Sequence, residues 1–201
     1  MKLRTEIELE PVAFELYELE VTAPRDDFEL EIKRAEQAVR SDEVGSKDRA
    51  RGLYRKFGVD PTRVRPSSEA LLRRMKKGES LPRVNSLVDV ANALSVQLQV
   101  PVGLYDADKV KGEELVIRLG REGEGYRGIG KELVNVEGRI CVADSEGPIG
   151  NPSADSARTM ITTDTQRAVW IYFLPVREED IDRTAELVAV FGRGLIKMIG
   201  R

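Results

Sequence analysis

The residue types best suited to chemistry cluster in the segment DSARTMITTDT, residues 155–165. This segment brings carboxyl, hydroxyl and guanidinium side chains together between a Gly-Pro turn and an apolar run. Clustered hydroxyls can orient a water molecule or a ribose, but turns use the same residue types to bond their own backbone. The segment therefore indicates either a polar binding site or an ordinary turn.

A second polar group interrupts an apolar helical pattern. Asn85, Asp89 and Asn92 lie four and seven residues apart, which places them near one another on a helix. Asn85 can instead cap the amino end of that helix. The pattern alone leaves both roles of Asn85 open.

The chain has no histidine and one cysteine, Cys141. The absence of histidine excludes Ser-His-Asp and Cys-His machinery and zinc sites built on imidazole. A single cysteine excludes a disulfide framework within the chain and is typical of a reducing cytosol. Any chemistry must then use carboxylates, hydroxyls, backbone groups, lysine, tyrosine or the substrate itself, and we expect no metal and no cofactor.

Two further motifs are interpreted as turns. The glycine-rich stretch GREGEGYRGIG, residues 120–130, fits neither the dinucleotide fingerprint nor the Walker A pattern. The run YDADK, residues 105–109, carries two carboxylates but too few oxygen ligands for a calcium loop. We therefore predict turn glycines in the first motif and Asx-type bonding in the second.

Charge is distributed unevenly along the chain. Residues 47–83 hold twelve Lys or Arg and four acidic residues, a net charge of +8 in a chain whose overall net charge is −3. A basic segment in an acidic protein is suited to contact with a polyanion, although a solvated helix surface has the same composition. The wealth of Glu, Lys and Arg also resembles the composition of thermophile proteins.

The 201 residues are 41% hydrophobic and 33% charged. They contain no run of eighteen apolar residues, the length needed to cross a membrane. The amino terminus lacks the apolar core of a signal peptide. Residues 4–22 alternate around Pro11 and predict one or two strands. Caps, glycine stops and helical spacing predict four helices, over residues 26–41, 46–55, 67–78 and 84–98.

Beyond Pro101 the pattern changes to short strands, predicted over residues 102–105, 115–119, 126–129, 139–143 and 168–173. A last helix is predicted over 178–199, packing back on the sheet. This order predicts a single α+β domain with a mixed or antiparallel sheet packed by helices. We divide the chain into an amino-terminal strand and helix extension (1–46), the main domain (47–175) and a carboxy-terminal helix (176–201).

Three motifs carry a family resemblance. PRVNSLVDVANALSVQLQVPVGLYDADKV, residues 82–110, resembles the phenylalanyl-tRNA synthetase β-subunit segment R-P-I-N-x-V-V-D-V-T-N followed by Q-P-hydrophobic-H-A-F-D-x-D-K. VADSEGPIG, residues 142–150, matches that family's I-A-D-x-x-G-P, and TRVRPSSEALLRRMKKG resembles its R-x-R-P segment. Over about residues 47–175 the chain is therefore similar to the B3/B4 domain, the editing part of that subunit.

The resemblance implies a B3/B4-like fold with a pocket for an amino acid esterified to the 3′ end of tRNA. In the synthetase this module hydrolyses wrongly attached tyrosine, which acts as a second sieve. The chain lacks an aminoacylation core, so the resemblance implies a free-standing protein that edits misacylated tRNA in trans and is not a ligase. The implied partner is the tRNA acceptor end, in the cytoplasm. Neither DNA nor a membrane is expected as a partner, and a homodimer is left open.

The motifs carry over to single positions. Asn92 matches the asparagine of V-T-N that faces the editing pocket, and the bacterial pocket histidine falls at Gly103. The pocket glutamate falls at Ala157 or Arg158, so the nearest carboxylate is Asp155. The resemblance thus implies Asn92 and Asp155 as catalytic residues. It implies substrate binding by Asn85, Asp89, Gly103, Tyr105, Ser156, Arg158 and Thr159. The expected RNA contacts are Arg63, Arg65, Arg73, Arg74, Lys76, Lys77 and Arg83.

The mechanism implied by these positions is attack of water on the ester carbonyl. Asn92 and backbone amides near Gly103 would orient water or polarise the carbonyl, and Asp155 with Ser156 or Thr159 would hold the α-amino group or the water. The vicinal ribose hydroxyl would carry the proton. Two alternatives stay open: a noncatalytic module that binds tRNA or an amino-acid-like ligand, and a small-molecule binder whose basic segment is only surface.

Overall fold

A computed structural model describes residues 1–130 and 133–200 of the chain. Within these residues the α-helices are α1 (Glu29–Arg40), α2 (Lys47–Lys56), α3 (Ser67–Lys76), α4 (Ser86–Leu98) and α5 (Glu178–Leu187). The strands are β1 (Lys2–Thr5), β2 (Val12–Tyr17), β3 (Val102–Asp106), β4 (Glu114–Leu119), β5 (Gly125–Tyr126), β6 (Val134–Asn135), β7 (Ile140–Asp144), β8 (Gly147–Asn151), β9 (Ala154–Asp155), β10 (Ala168–Tyr172) and β11 (Leu195–Gly200). Short 3₁₀ turns precede α1 and follow β9. No helix in this part of the chain is both long and apolar enough to span a bilayer.

The strands form two larger sheets and one small ribbon. One sheet has the order β11-β2-β10-β3 and is antiparallel, and the other has the order β1-β4-β7-β8-β9 with a single parallel pair, β1 with β4. Strands β5 and β6 pair with each other. The prediction of an α+β fold with mixed or antiparallel pairing is confirmed, and its strands divide among these sheets.

Strand β10 lies at the centre of the molecule. Its five residues are all fully buried, and Trp170 and Tyr172 face the helices while Val169 and Ile171 face the five-stranded sheet. A strand covered on both sides reads as a continuous apolar run, as AVWIY does. The fold is therefore layered, with helices, the four-stranded sheet and the five-stranded sheet stacked in that order.

The predicted helix starts are confirmed by their caps. The Ser46 hydroxyl accepts a hydrogen bond from the Asp48 N–H at 3.2 Å, and the Asn85 Oδ1 accepts one from the Val88 N–H at 2.9 Å. Helix α4 ends at Gln99, whose φ of 53° is left-handed. Both caps satisfy N–H groups that a helix leaves without partners in its first turn.

The helix predicted over residues 178–199 is wrong beyond Gly192. After Leu187 the helix continues as a π-helical segment, Val188–Gly192, and Arg193 then adopts a left-handed φ of 50°. Residues Leu195–Gly200 form β11, which pairs antiparallel with β2. Gly194 permits this reversal because a Cβ there would lie 2.5 Å from the Leu19 side chain.

The strand predicted over residues 126–129 is shorter than expected. Only Gly125–Tyr126 is strand, and Gly128 makes a single antiparallel bridge to Ser156. The expected turns at Gly123 and Gly130 are present, with φ of 72° and 67°. In YDADK the Asp108 N–H donates to Asp106 Oδ1 at 3.1 Å, so the Asx-type turn is confirmed.

Candidate functional site

A cavity of about 240 Å³ opens between the helices and the edges of the two large sheets. Helix α4 provides one wall and α3 a second, and β3 and the segment around β9 complete it. The walls are mainly apolar, with polar side chains from Ser67, Asn92, Ser95, Asn151, Ser153 and Asp155. An apolar hollow with a few convergent polar groups is the usual form of a small-molecule site.

The α4 wall follows directly from helical spacing. Val88, Ala91, Asn92 and Ser95 lie three and four residues apart, so they share one face of the helix, and all of them line the cavity. The Ser95 hydroxyl donates to the Val100 carbonyl at 2.8 Å, just beyond the end of α4, so its proton already has an acceptor within the protein. The Asn92 side chain makes no hydrogen bond to any residue in the described part of the chain. Its amide is therefore available to a ligand.

Asp155 lines the same cavity from β9. Its Oδ2 accepts a hydrogen bond from the Leu104 N–H at 3.3 Å. Its Oδ1 has almost no accessible surface and no hydrogen-bond partner among the described residues. Burial raises the pKa of this carboxyl to about 7, against the opposing effects of the Leu104 N–H and the Tyr105 hydroxyl. Burial therefore favours the protonated form of Asp155 over a wider pH range than for an exposed aspartate.

The mouth of the cavity is apolar and exposed. Val84, Ile129 and Met160 line it and keep 53%, 51% and 38% of their surface exposed. A cavity of about 150 Å³ with apolar walls takes up benzene, so this larger space admits a group at least of that size. Exposed apolar side chains around a hollow are typical of a ligand entrance.

Gly103 and Tyr105 lie beneath the cavity and do not line it. Both lie on β3 with side-chain positions on the face opposite to Leu104, which does line the cavity. A Cβ on Gly103 would meet the Tyr105 hydroxyl oxygen at 2.4 Å. The tyrosine thus already fills the space that a larger residue at position 103 would need.

Asn85 and Asp89 hold the helix start and do not line the cavity. The side-chain Nδ2 of Asn85 donates to the Ile161 carbonyl at 3.4 Å. Asp89 accepts from Arg83 Nε at 2.7 Å and from the Val84 N–H at 2.8 Å. These residues therefore anchor the segment that bears the rim residue Val84.

The remaining predicted substrate residues also lie away from the cavity wall. Ser156 caps the 3₁₀ turn after β9, where its hydroxyl accepts from the Arg158 N–H at 3.1 Å. Arg158 binds both carboxylate oxygens of Asp144, at 2.8 and 2.9 Å. Thr159 is fully buried, and its hydroxyl has no partner among the described residues.

The seven cations expected to contact RNA fall into two groups. Arg65, Arg74, Lys76 and Arg83 form ion pairs with Glu69, Glu79, Asp42 and Asp89 respectively. Arg63, Arg73 and Lys77 are exposed and form no ion pair with a described residue. Only the second group is free to meet a polyanion without giving up an internal partner.

Sequence reasoning missed the other polar wall residues, and also Arg127. Ser67 begins α3, and Asn151 and Ser153 lie in the turn between β8 and β9, where Asn151 Oδ1 accepts from the Ser153 and Ala154 N–H groups. No periodic pattern marks such a turn, although GNPSAD is rich in turn-forming residues. In residues 1–130 and 133–200 no three acidic or cysteine side chains gather into a metal-binding group.

Arg127 lies two residues before Ile129, which lines the cavity mouth. Its carbonyl accepts from the Ala157 N–H and the Ile129 N–H donates to the Asp155 carbonyl, so residues 127–129 pair with 155–157. Arg127 itself lines a separate, open depression that includes Glu146 and Arg158. Arg127 is exposed and has no ion pair with the residues that the structure describes.

Comparison with known proteins gives one family and a set of partial relatives. A family model described as B3/4 domain matches residues 49–190. The phenylalanine–tRNA ligase beta subunit of Protochlamydia amoebophila is 35% identical over 92 residues, or 45% of this chain and 11% of that protein. The corresponding subunit of Bartonella henselae is 42% identical over 67 residues, or 33% of this chain and 8% of that protein.

Two further comparisons extend over more of the chain. The phenylalanine–tRNA ligase beta subunit of Carboxydothermus hydrogenoformans is 28% identical over 131 residues, or 62% of this chain and 16% of that protein. A solved N-terminal fragment of the phenylalanyl-tRNA synthetase beta subunit from Pyrococcus horikoshii matches with a TM-score of 0.48 and 16% identity, covering 97% of this chain and 50% of that one. The chain thus spans between 8% and 16% of the length of these curated relatives.

Proposed function

The chain belongs to the B3/4 domain family, and from that premise we propose that its cavity binds the amino acid of a misacylated tRNA and hydrolyses the ester bond in trans. One observation carries this proposal: Asn92 and Asp155 line a single apolar-walled cavity. The Asn92 side chain and the Oδ1 atom of Asp155 make no hydrogen bond to the described residues. A pocket of this kind suits an amino acid whose side chain is apolar and whose carboxyl end is polar.

The curated relatives are named as phenylalanine–tRNA ligase beta subunits, and this chain matches about a tenth of their length. The activity that we propose for the cavity is hydrolysis of an ester bond and not its formation.

The proposed reaction is addition of water to the ester carbonyl. The Asn92 amide N–H would donate to the carbonyl oxygen and stabilise the charge that develops there. Ionised Asp155 would accept a proton from the attacking water, which forms the new C–O bond. The bond from the carbonyl carbon to the ribose oxygen then breaks, and the proton taken up by Asp155 passes to that oxygen through the vicinal ribose hydroxyl. The products are the free amino acid and the tRNA with its terminal hydroxyl restored.

The size and lining of the cavity suggest the class of amino acid. About 240 Å³ with apolar walls fits an aromatic or large aliphatic side chain. Position 103 has no side chain and position 158 carries an arginine held by Asp144, so the two polar groups expected of the bacterial pocket are not supplied there. We propose that the substrate side chain is apolar and lacks a phenolic hydroxyl.

The RNA is proposed to approach over the mouth of the cavity. Arg127 lies two residues before Ile129 of that mouth, and Arg63 precedes α3, whose Ser67 and Leu71 form part of the cavity wall. These exposed cations would meet the phosphates of the acceptor end, which dominate the affinity of such contacts.

The test is release of labelled amino acids from a panel of mischarged tRNAs, with protein at a small fraction of the tRNA concentration. We expect many turnovers for an apolar amino acid. Asn92→Ala should lower the rate about 100-fold through loss of the carbonyl donor. The matched control is Asn135→Ala, an exposed asparagine on β6. Equal release with and without protein contradicts the enzyme proposal.

A second candidate is a noncatalytic binding module. The raised pKa of Asp155 favours it, because a protonated carboxyl is a hydrogen-bond donor and cannot accept a proton. In that case aminoacyl-tRNA would bind with one-to-one stoichiometry, and its ester would stay intact at the spontaneous rate. The turnover experiment separates the two candidates.

A further inference from the structure

The Tyr105 side chain ends at a point shared by two glycines and the carboxyl of Asp155. A Cβ on Gly103 and a Cβ on Gly150 would each lie 2.4 Å from the Tyr105 hydroxyl oxygen. The same Cβ on Gly150 would lie 2.6 Å from Asp155 Oδ1. The hydroxyl and the carboxyl oxygen thus occupy neighbouring space that is open only because positions 103 and 150 carry no side chain.

Neither of these two buried atoms has a hydrogen-bond partner of standard geometry among the described residues. Buried polar atoms are nearly always bonded, and leaving one unbonded is costly. A phenol supplies a donor and an ionised carboxyl supplies an acceptor, so each atom offers what the other requires. A small movement of either side chain would join them.

The other groups around Asp155 do not compete for this role. The Leu104 N–H from β3 binds Oδ2, and Asn92 from α4 and Ser67 from α3 line the cavity as neutral groups. Tyr126 from β5 is near enough to Asp155 for the carboxylate to raise its pKa, but its hydroxyl donates to the Ala154 carbonyl at 2.5 Å.

We propose that Tyr105 is a positioning residue for the cavity, which donates its hydroxyl proton to Oδ1 of the ionised Asp155 and so holds that carboxyl in one orientation. The consequence for hydrolysis rests on the function proposed above, whereas the contact itself does not. Gly103 and Gly150 belong to the same device, since any side chain there would displace the hydroxyl.

The experiment follows the ionisation of Asp155 directly, by the carboxyl ¹³C chemical shift as pH is varied. The signal is assigned by its loss in Asp155→Asn. In Tyr105→Phe the donor is removed while the ring remains, and we expect the proton affinity of Asp155 to rise about tenfold. The matched control is Tyr126→Phe, which removes a neighbouring hydroxyl that is bonded elsewhere and should shift the titration far less.

An unchanged titration in Tyr105→Phe, or an equal shift in Tyr126→Phe, overturns the proposal. If Tyr105→Phe does not fold, replacement of tyrosine by 3-fluorotyrosine keeps the hydroxyl and makes it a stronger donor. The proton affinity of Asp155 should then fall, and no change would again overturn the proposal. Because this readout needs no turnover, it holds whether or not the protein hydrolyses aminoacyl-tRNA.

Discussion

Asn92 on α4 and Asp155 on β9 line one cavity although they come from the helical and the strand-rich parts of the chain. The first is a neutral amide without a hydrogen bond to the described residues, and the second is a carboxyl whose burial raises its pKa to about 7. In the proposed hydrolysis Asn92 would supply the carbonyl donor and Asp155 the proton acceptor.

The buried carboxyl of Asp155 should make stability depend on pH. Its pKa rises from 3.8 to about 7 on folding, so the folded chain holds the proton more tightly than the unfolded chain does. Stability is therefore lost as pH rises from about 4 to 7, by about 2–4 kcal/mol, and stays lower above pH 7. Asp155→Asn should remove this loss, as measured by urea unfolding at pH 5 and pH 8.

The control for that measurement is Asp164→Asn, at an exposed position of the neighbouring turn. It should retain the wild-type difference between the two pH values. A wild-type chain as stable at pH 8 as Asp155→Asn would contradict the buried ionisation.

Filling the cavity should abolish binding while the fold survives. Ala91 lines the cavity on α4, and Ala91→Leu would add three carbon atoms to the space that the substrate side chain needs. We expect at least about tenfold weaker binding of a nonhydrolysable aminoacyl-adenosine analogue, measured by calorimetry. Ala70→Leu, on the exposed side of α3, should bind as the wild type does. Equal affinity in both variants would mean that the ligand binds elsewhere.

The Arg83–Asp89 pair should carry much of the stability of the cavity rim. Asp89 is 2% exposed, and its loss would remove the acceptor of the Arg83 Nε–H and of the Val84 N–H. Asp89→Ala should lower the free energy of unfolding by about 3 kcal/mol. Asp42→Asn, which removes the charge of an exposed pair with Lys76 and suits the left-handed φ of 56° there, should cost less than about 1 kcal/mol. Similar losses for the two variants in urea unfolding would argue against the anchoring role.

Arg127 should bind a phosphate of the acceptor end. Arg127→Ala is expected to weaken tRNA binding across all amino acids and to reduce the slope of log affinity against log salt by about 1. Fluorescence anisotropy with labelled tRNA over a salt series measures both quantities. Arg40→Ala, on α1, serves as the control, and a slope identical to it would remove Arg127 from the RNA surface.

Local features of the fold could be read from the sequence because their causes are local. Ser46 and Asn85 cap helices through contacts within three residues, and helical spacing alone predicted the helix that carries Asn92. Strand β8 could not be predicted, because GPIGN consists of residues typical of turns and is fixed by pairing with β7.

The predictions that failed concern features that depend on distant parts of the chain. Residues 195–200 have an apolar pattern that fits a helix, and only the open edge of β2 makes them a strand. The ion pairs of the basic segment could not be predicted either, although the segment itself is evident in the sequence. The acidic partners of Arg74 and Arg83 follow them at five and six residues, and these spacings belong to no regular helix or strand pattern. The raised pKa of Asp155 arises from its burial in the folded chain, which no local sequence pattern reveals.

Strand β10 belongs to both hydrophobic cores, since alternate residues of Ala168–Tyr172 pack into each. The helical layer and the five-stranded sheet therefore cannot melt independently, and heating should give one cooperative transition. A molecule seated against α4 and β3 would then raise the melting temperature of the entire chain. A simple thermal-shift screen of amino acid analogues can thus reveal what the hollow prefers before any charged tRNA is prepared.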